Sequence, residues 1–379
     1  MPRFVVNVPG ASHQTKYTAI LSSGSLYQCC DCFVIKGHRV HLEVLDPCED
    51  AEPSGWEEFR QAEGLSAIWA HDVIAASSAH SWARPLLTVF RDGGRIVGAV
   101  GAVYAGLPLP SSRRVPRPRR EPLLLDVRLP GHSNAPTWHF SDAVTPGERR
   151  RLMRMFEQAA RRHLGWGLTG VLYRMVTEPH LPAVTRRGAI VRPSPGSTVM
   201  PLHWTSTEEW IGSLSRNRRS TLRRQLRRIT QADDLVVSEG EARTDLDPGE
   251  LAELNRRHTA RLATRFDPRA PLPEEYFAAL LSRADVSVLS YHAAGRLLGF
   301  AIVYDHHDSP AYGPWAALQP EEGGRKDLYF DSYARIVGRA VRQGAKRLLG
   351  GRGRVDVKRS LGFAYVPMSV VAVPRWAMG

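Results

Sequence analysis

A run of arginines is the part of this sequence whose residue types most clearly predict a binding chemistry. The stretch SLSRNRRSTLRRQLRRI, Ser213 to Ile229, places seven arginines between Arg216 and Arg228. Guanidinium groups bind phosphate oxygens through paired N–H donors, so this density predicts contact with a polyanion. The seven are Arg216, Arg218, Arg219, Arg223, Arg224, Arg227 and Arg228.

Helical spacing predicts how this run is presented. Leu222, Leu226 and Ile229 recur at i, i+4 and i+7, which places one apolar stripe on a helix. Outside that stripe lie Arg223, Arg224, Arg227 and Arg228. No carboxylate occurs between Glu209 and Asp233, and like charges four residues apart repel each other, so a bound polyanion would relieve the repulsion. A solvated cationic face and the binding of another anion remain open alternatives.

The composition of the whole chain points the same way. Its 379 residues predict two domains, and 51 basic against 38 acidic residues give a net charge of +13. Such an excess favours nucleic acid, phosphorylated cofactors or an anionic surface as partner, although codon bias toward arginine would also produce it. There is no apolar run of about 18 residues and no secretory signal layout, so we expect a cytoplasmic protein without a membrane partner.

The cysteines allow one metal hypothesis. Cys29 and Cys32 have C-x-x-C spacing, with His38 and His41 nearby, which is compatible with zinc. No second pair follows at the spacing of a zinc finger or ribbon. Reduced cysteines are therefore the favoured interpretation, and no metal is predicted.

An internal duplication predicts the elements that hold these residues. LLTVFRDGGRIVGAVGAVYAG, from Leu86, is echoed by VSVLSYHAAGRLLGFAIVYDH, from Val286. Gly94-Arg95 and Gly98 recur as Gly295-Arg296 and Gly299, at an offset of 201 residues. Each copy predicts a β-hairpin that turns at glycine, preceded by helical sequence and followed by an amphipathic helix and a strand. The sequence therefore predicts an α/β fold of two tandem units. Residues 1–39 form an extension, 40–205 the first domain and 206–379 the second.

This order of elements resembles the tandem GNAT architecture of the Fem-type aminoacyl-tRNA-dependent ligases and their GNAT relatives. Three stretches carry the resemblance: SLSRNRRSTLRRQLRR, LNRRHTARLATRFDPRAPLPEEYFAALL and YFDSYARIVGRAVRQGAKRLLGGRGRVDVKRSLGF. The last contains the motif Lys-x-x-Φ-Gly at Lys358 to Gly362. The likeness extends over residues 40–379 and is clearest from residue 206 onward.

The resemblance implies roles for particular residues. It implies two layered GNAT units and no bound cofactor, with aminoacyl-tRNA as co-substrate. It assigns Lys358 to the tRNA 3′ end and the developing negative charge. The residues themselves make Arg352 a candidate for holding the phosphates of the terminal adenosine and the arginine run a candidate for binding the tRNA backbone. Asp331 is the candidate proton acceptor. Candidate contacts for the acceptor amine are Tyr312, Trp315 and Tyr333.

The loop that would bind coenzyme A is the least typical part of the likeness. GNAT enzymes hold the CoA pyrophosphate on an R/Q-x-x-G-x-G/A loop at a strand-to-helix junction. The matches RLLGFA and RIVGRA fall in a hairpin and inside a helix, while the expected place reads LQPEEGGRKD, with two acidic residues where phosphates would lie. This loop favours a donor other than acyl-CoA.

These observations predict an enzyme that transfers an aminoacyl group from aminoacyl-tRNA to an amine of a small molecule or peptide, in specialised-metabolite biosynthesis. An N-acyltransferase of the same fold that uses acetyl-CoA or another acyl-CoA is the alternative. A non-catalytic RNA-binding protein is the second alternative.

Overall fold

The fold is known from a computed structural model that describes residues 31–35, 38–77, 83–107, 117–131, 134–263 and 270–379. One sheet of fourteen strands runs through these residues, with helices on both faces. The strands are β1 Asp31–Ile35, β2 His38–Leu45, β3 Ala83–Asp92, β4 Arg95–Gly106, β5 Leu123–Val127, β6 Trp138–Phe140, β7 Leu168–Val176, β8 Ile190–Pro201, β9 Leu235–Glu241, β10 Val286–Ala293, β11 Arg296–Tyr304, β12 Ala311–Ala317, β13 Arg347–Leu349 and β14 Ala364–Pro374. The α-helices are α1 Trp56–Ala62, α2 His71–Ala76, α3 Pro146–Leu164, α4 Leu181–Val184, α5 Thr207–Ser213, α6 Arg216–Thr230, α7 Pro248–Leu262, α8 Glu274–Leu281, α9 Leu328–Arg342 and α10 Val355–Ser360.

Two successive sets of elements have the same order. A strand and two helices are followed by a hairpin, a fourth strand and a central helix, then a strand parallel to the fourth, a short helix and a final strand. The first unit adds the short strand β6 before its central helix. The first unit runs from β2 to β8 and the second from β9 to β14, with α5 and α6 between them. The predicted α/β fold of two tandem GNAT-type units is confirmed.

The hairpins show the duplication at residue level. In β3–β4 the register shifts between Phe90 and Arg91, and in β10–β11 it shifts between Tyr291 and His292. These bulges are 201 residues apart, the same offset as in the sequence repeat. Since a bulge bends the strand that carries it, both units have inherited the same local curvature.

The two units are joined by their last strands. β8 closes the first unit but pairs with β13 of the second, whereas β14 closes the second unit and pairs with β7 of the first. β8 and β14 also pair with each other at the centre of the sheet. The backbone hydrogen bonds therefore run without interruption from β1 at one edge to β9 at the other.

The predicted domain boundaries remain a proposal. β8 ends at Pro201, and the Ser206 side chain caps the start of α5, so the sequence from 202 to 206 connects elements at the place proposed. β1 lies within the predicted extension and pairs with β2 at the sheet edge. Cys29 and Cys30 lie outside the described residues.

No helix in the described ranges is long and apolar enough to cross a membrane. Two layers of buried apolar side chains hold the helices to the sheet. One layer includes α3 and the strands beneath it, with Phe156 and Tyr173 fully buried. The other includes Trp56 of α1 and Phe277 of α8 from different units. Core packing therefore joins the units, as strand exchange does.

Candidate functional site

In the second unit the two parallel strands β12 and β13 pair at a single position, and we call the place where they part the crevice. β12 and β13 pair only at Ala311 and Leu349, after which β12 continues to Ala317 beside no parallel partner. Pro314 lies in this unpaired stretch, where a residue without an N–H loses no ladder bond. Ligands of open α/β sheets bind beyond the carboxyl ends of parallel strands, so this crevice is the candidate site.

Lys358 lies in α10, and its ammonium contacts the loop that directly follows β13. Its side chain is 4% exposed, and its ammonium donates a hydrogen bond to the carbonyl of Gly350. Burial lowers the pKa of this ammonium from its ordinary 10.5 to about 8. Within the described part of the chain, no carboxylate forms an ion pair with Lys358. A cation is therefore held in a poorly solvated place with its charge uncompensated.

The loop from Gly350 to Arg354 fixes this geometry. The Gly350 N–H donates to the carbonyl of Thr198 at 2.8 Å, and a Cβ atom on Gly350 would lie 2.6 Å from Phe363 and from Thr198. Only glycine allows the backbone to approach so closely, which is what brings its carbonyl to Lys358. Arg352 is partly buried in the same loop, and the Arg354 guanidinium lies over the Tyr329 ring at 5.8 Å.

The predicted acceptor contacts form one aromatic cluster next to the crevice. Tyr312 and Tyr333 are buried and stack at 4.6 Å, and the Tyr312 hydroxyl bonds the hydroxyl of Ser332 at 2.9 Å. Trp315 is only partly buried and meets Tyr329 edge-on at 5.5 Å. Burial raises the pKa of the Tyr312 and Tyr333 hydroxyls, so both stay protonated. Trp315 and Tyr329 are the members that a ligand reaches.

Asp331 lies on the first turn of α9 with its carboxylate already engaged. It is 4% exposed and accepts hydrogen bonds from the Tyr291 hydroxyl at 2.9 Å and from Arg335 Nε at 2.6 Å. A carboxylate so bonded orients the helix against β10 in this structure. Its predicted role as proton acceptor remains a prediction.

The loop before α9 is closed on itself. The Glu322 and Gly324 N–H groups both donate to the Gln319 carbonyl, and the Gly323 N–H donates to Pro320. The Gln319 N–H in turn donates to the Glu322 carboxylate, which also pairs with Arg261. Pyrophosphate binding at such a junction needs free N–H groups that point at the ligand. Here four of them are used within the loop.

Helix α6 docks on α9 beside this loop. Leu222 and Ile229 are buried as the apolar stripe predicts, but Leu226 is only partly buried and Gln225 takes the inward position. The difference has a polar cause: the Gln225 amide donates to the Asp327 carboxylate at 2.7 Å, a bond between residues 102 positions apart. Sequence spacing gives no signal for such a contact.

The seven arginines of α6 fall into two groups. Four are engaged: Arg228 pairs with Asp327, Arg223 with Glu208, Arg219 donates to the Gly212 carbonyl, and Arg218 stacks on the Phe330 ring at 4.3 Å. Arg216, Arg224 and Arg227 are exposed, and none forms an ion pair with a described residue. The predicted cationic face therefore exists, reduced to these three side chains and the partly exposed Arg223 and Arg228.

Sequence reasoning did not identify a cavity of about 570 Å³ at the junction of the units. It lies between Gly64 of the first unit and His306 of the second, near Arg60 and Arg283. Arg60 pairs with Asp285 at 2.8 Å, and Arg283 pairs with Asp72 at 3.2 Å. These pairs cross or border the junction and fix the units to each other.

Comparison with known proteins identifies the fold. Residues 216–359 match the family described as Acetyltransferase (GNAT) domain. L-PGS from Bacillus licheniformis is similar at a TM-score of 0.55 and 10% identity, over 85% of this chain and 92% of that one. FemX is similar at 0.54 and 12%, over 87% and 96%.

The C-terminal domain of a putative lysylphosphatidylglycerol synthetase from Agrobacterium fabrum has a TM-score of 0.52 and 12% identity, over 82% of this chain and 88% of that one. A search of curated protein sequences gives no significant match. The comparisons therefore show a GNAT-type α/β fold, and residues 216–359 of the second unit are similar to a GNAT acetyltransferase domain.

Proposed function

We propose that this protein is an aminoacyltransferase that moves an aminoacyl group from aminoacyl-tRNA to an amine of a small molecule or peptide. The observation that carries the proposal is the docking of α6 on α9. The arginine-rich helix is fixed by Gln225 and Arg228 to Asp327, at the amino end of α9 beside the crevice. It presents Arg216, Arg224 and Arg227 there without protein partners among the described residues.

The loop before α9 supports this choice of donor. CoA pyrophosphate would meet the carboxylates of Glu322 and Asp327 and find the neighbouring N–H groups already bonded. A tRNA needs no such cradle, because arginine side chains supply contacts to its phosphates. One structural neighbour also supports an aminoacyl donor, since it is a putative lysylphosphatidylglycerol synthetase, which is named for a product that carries a lysyl group.

Lys358 gives the reaction its electrostatic component. The acceptor amine attacks the ester carbonyl, a C–N bond forms, and the C–O bond to the terminal ribose breaks as the amine proton passes to the departing ribose oxygen. Negative charge appears on the carbonyl oxygen between these events. A preorganised donor for such an oxyanion contributes about 3–4 kcal/mol, and in this proposal the ammonium of Lys358 is that donor.

The pKa of Lys358 predicts the pH dependence of this step. The protonated form stabilises the oxyanion, and its pKa of about 8 means that kcat falls as the pH rises through that value. On the acidic side kcat rises with pH, because the acceptor amine must lose its proton before it can attack. A bell-shaped profile of kcat against pH is therefore expected. Lys358→Arg, which stays protonated, is expected to remove the alkaline limb. An alkaline limb unchanged in that variant would contradict the assignment.

The first experiment is filter binding of aminoacylated and deacylated tRNA, with duplex DNA as control, over a salt series. Tighter retention of the aminoacylated pool at moderate salt supports the proposal, because it requires recognition of the 3′ end. Equal and salt-labile retention of all three would leave only a basic surface. A transfer assay with labelled aminoacyl-tRNA and a panel of amines then tests for chemistry.

A second candidate is an acyl-CoA-dependent N-acyltransferase, which the match of residues 216–359 to a GNAT acetyltransferase domain favours. In that case the loop from Gln319 to Asp327 must rearrange to release its N–H groups. Micromolar binding of acetyl-CoA by calorimetry, abolished by substitution in this loop, would establish this alternative. If Lys358→Ala leaves every measured activity intact, a non-catalytic RNA-binding role gains support.

A further inference from the structure

We propose that the protein carries a docking surface for an anionic lipid membrane where β14 of the second unit pairs with β7 and β8 of the first, centred on Trp166 and Trp376. These are among the most exposed large apolar side chains in the described part of the chain, at 64% and 76%, and Ile190 is 50% exposed. The surface lies far along the sheet from the second unit's hairpin and is not used by the proposed transfer reaction.

Three neighbouring strands bring these side chains together. Trp166 precedes the start of β7, Trp376 follows the end of β14, and Ile190 begins β8. β14 pairs with both of the others, with Pro374 opposite Gly170 and Ala372 opposite Ile190. The three exposed residues therefore lie at the same end of three neighbouring central strands.

The backbone that carries the tryptophans is firmly held. Arg375 Nη1 donates to the Gly165 carbonyl at 2.8 Å and to the Leu168 carbonyl at 2.9 Å, which ties the turn bearing Trp376 to the turn bearing Trp166. The Trp376 ring packs on Gly188, where a Cβ atom would lie 2.5 Å from it. Trp376 is thus displayed on a fixed turn.

A fully buried carboxylate strengthens this anchor. Glu157 is 0% exposed and accepts hydrogen bonds from Arg186 and from the backbone N–H of Gly379. Arg186 also donates to the Ala377 carbonyl at 2.8 Å. The turn that exposes Trp376 is therefore held from both sides by a buried polar network.

The charges around the tryptophans identify the partner. Arg119 packs on Gly165, Arg187 adjoins Gly188, and Arg192 shares the strand face of Ile190. Tryptophan with a rim of arginine is the composition that binds the interface of an anionic bilayer. Self-association is disfavoured because two copies would bring like charges together. An RNA duplex is a less suitable partner, because its charged backbone makes no favourable contact with the apolar side chain of Ile190.

This inference departs from the sequence-based expectation of no membrane partner. That expectation rested on the lack of a membrane-spanning segment, and peripheral docking requires none. It is independent of the proposed function, since α6 and Lys358 play no part in it.

The test is co-sedimentation of the full chain with vesicles of phosphatidylcholine alone or mixed equally with phosphatidylglycerol. We expect binding to the anionic vesicles only, with a blue shift of tryptophan emission. The double variant Trp166→Ser with Trp376→Ser is expected to bind on the order of tenfold more weakly or worse, because the apolar contact is lost. The triple variant Arg119→Ser, Arg187→Ser and Arg192→Ser is expected to bind the anionic vesicles more weakly, and its binding is expected to depend less on salt concentration.

Matched controls keep the result decisive. Val236→Ser with Leu262→Ser removes two exposed apolar side chains from the second unit and is expected to bind vesicles as the wild type does. Circular dichroism melting confirms that each variant folds. Wild-type failure to bind anionic vesicles would overturn the proposal.

Two other outcomes would also overturn it. In one, the tryptophan variant loses tRNA binding and keeps vesicle binding; in the other, it loses only self-association. Loss of tRNA transfer with intact vesicle binding in Lys358 variants would leave this inference standing, so the two proposals fail separately.

Discussion

The two units share one plan and differ at the place where a ligand would enter. In the first unit the parallel strands β5 and β7 pair at five positions, from Leu123 with Leu168 to Val127 with Tyr173. In the second unit the equivalent strands, β12 and β13, pair at one. Paired strands form hydrogen bonds between their backbone groups, whereas strands that separate leave a crevice between them. The two units therefore share one scaffold, and only the second has the separated strands of the candidate site.

The buried charged residues near the central helices α3 and α9 are alike in one respect and differ in another. α3 buries Glu157 against the Tyr173 hydroxyl and Arg186, and α9 buries Asp331 against Tyr291 and Arg335. Each helix thus has one buried carboxylate satisfied by a tyrosine and an arginine. Only the second unit adds a buried cation without a carboxylate partner in the described chain, Lys358. The buried carboxylate is common to both units, and the buried lysine is found in the second unit, which holds the candidate site.

The largest effect expected from this comparison is that of Lys358→Met. It keeps the side-chain volume and removes the charge, so we expect kcat for aminoacyl transfer to fall by about 100- to 1000-fold. Because burial holds the pKa of this lysine at about 8, removing the charge also removes a desolvation cost, and the melting temperature should stay level or rise. A structural lysine would behave in the opposite way, with activity kept and stability lost.

A second prediction compares arginines of the two units. Alanine at Arg216, Arg224 and Arg227 together is expected to weaken tRNA binding by about tenfold and to reduce the salt slope by about 2 to 3. The matched control places alanine at three positions of α3: Arg151 and Arg154, which are exposed, and Arg161, which is partly buried. Equal losses in the two variants, measured by filter binding, would show that net charge alone drives binding.

A third prediction tests whether the two buried carboxylates are equivalent. Glu157→Gln and Asp331→Asn should each cost about 1–3 kcal/mol of unfolding free energy, since each leaves charged or hydroxyl partners poorly satisfied. Urea denaturation measures both. If Asp331 only positions α9, kcat for the folded Asn variant stays within a few-fold of wild type. A large loss of kcat with the acidic limb of its pH profile abolished would instead identify Asp331 as the proton acceptor.

The smallest effect concerns the two hairpin turns. Gly93 and Gly94 turn the first hairpin with φ of 55° and 89°, and Ala294 and Gly295 turn the second with φ of 49° and 76°. A left-handed conformation suits glycine and strains alanine. We expect Ala294→Gly to stabilise the protein by up to about 1 kcal/mol and Gly93→Ala to destabilise it by a similar amount. Thermal melts measure both variants. If Ala294→Gly lowers the melting temperature, the second turn is not strained.

Much of the fold could be predicted because it depends on local patterns. The Gly-Arg-x-x-Gly hairpins, the helix over Leu328 to Ala345 and the tandem order follow from alternation, turn residues and helical spacing. The structure bears these out, with α9 spanning Leu328–Arg342. The exchange of β8 and β14 could not be predicted, because strand partners far apart in the chain leave no mark on either strand alone.

The site was predictable in residue type and only partly in arrangement. Spacing places arginines on the outside of α6, but it ranks them equally, whereas the structure engages four of the seven. It also places Tyr312 and Tyr333 near the crevice without showing that both are buried. The distinction needs the neighbours that tertiary packing supplies.

By itself the sequence determined the two-unit α/β plan, the cationic face of α6 and the position of Lys358 in its motif, because each rests on residues close together in the chain. Tertiary structure alone decided that β12 and β13 separate, that Gln225 and Arg228 reach Asp327, and that Lys358 is buried without a carboxylate partner among the described residues. These three features depend on contacts between parts of the chain that are far apart in sequence. Packing and hydrogen bonding between the elements set these contacts, and the sequence of one element does not show which other element it will contact.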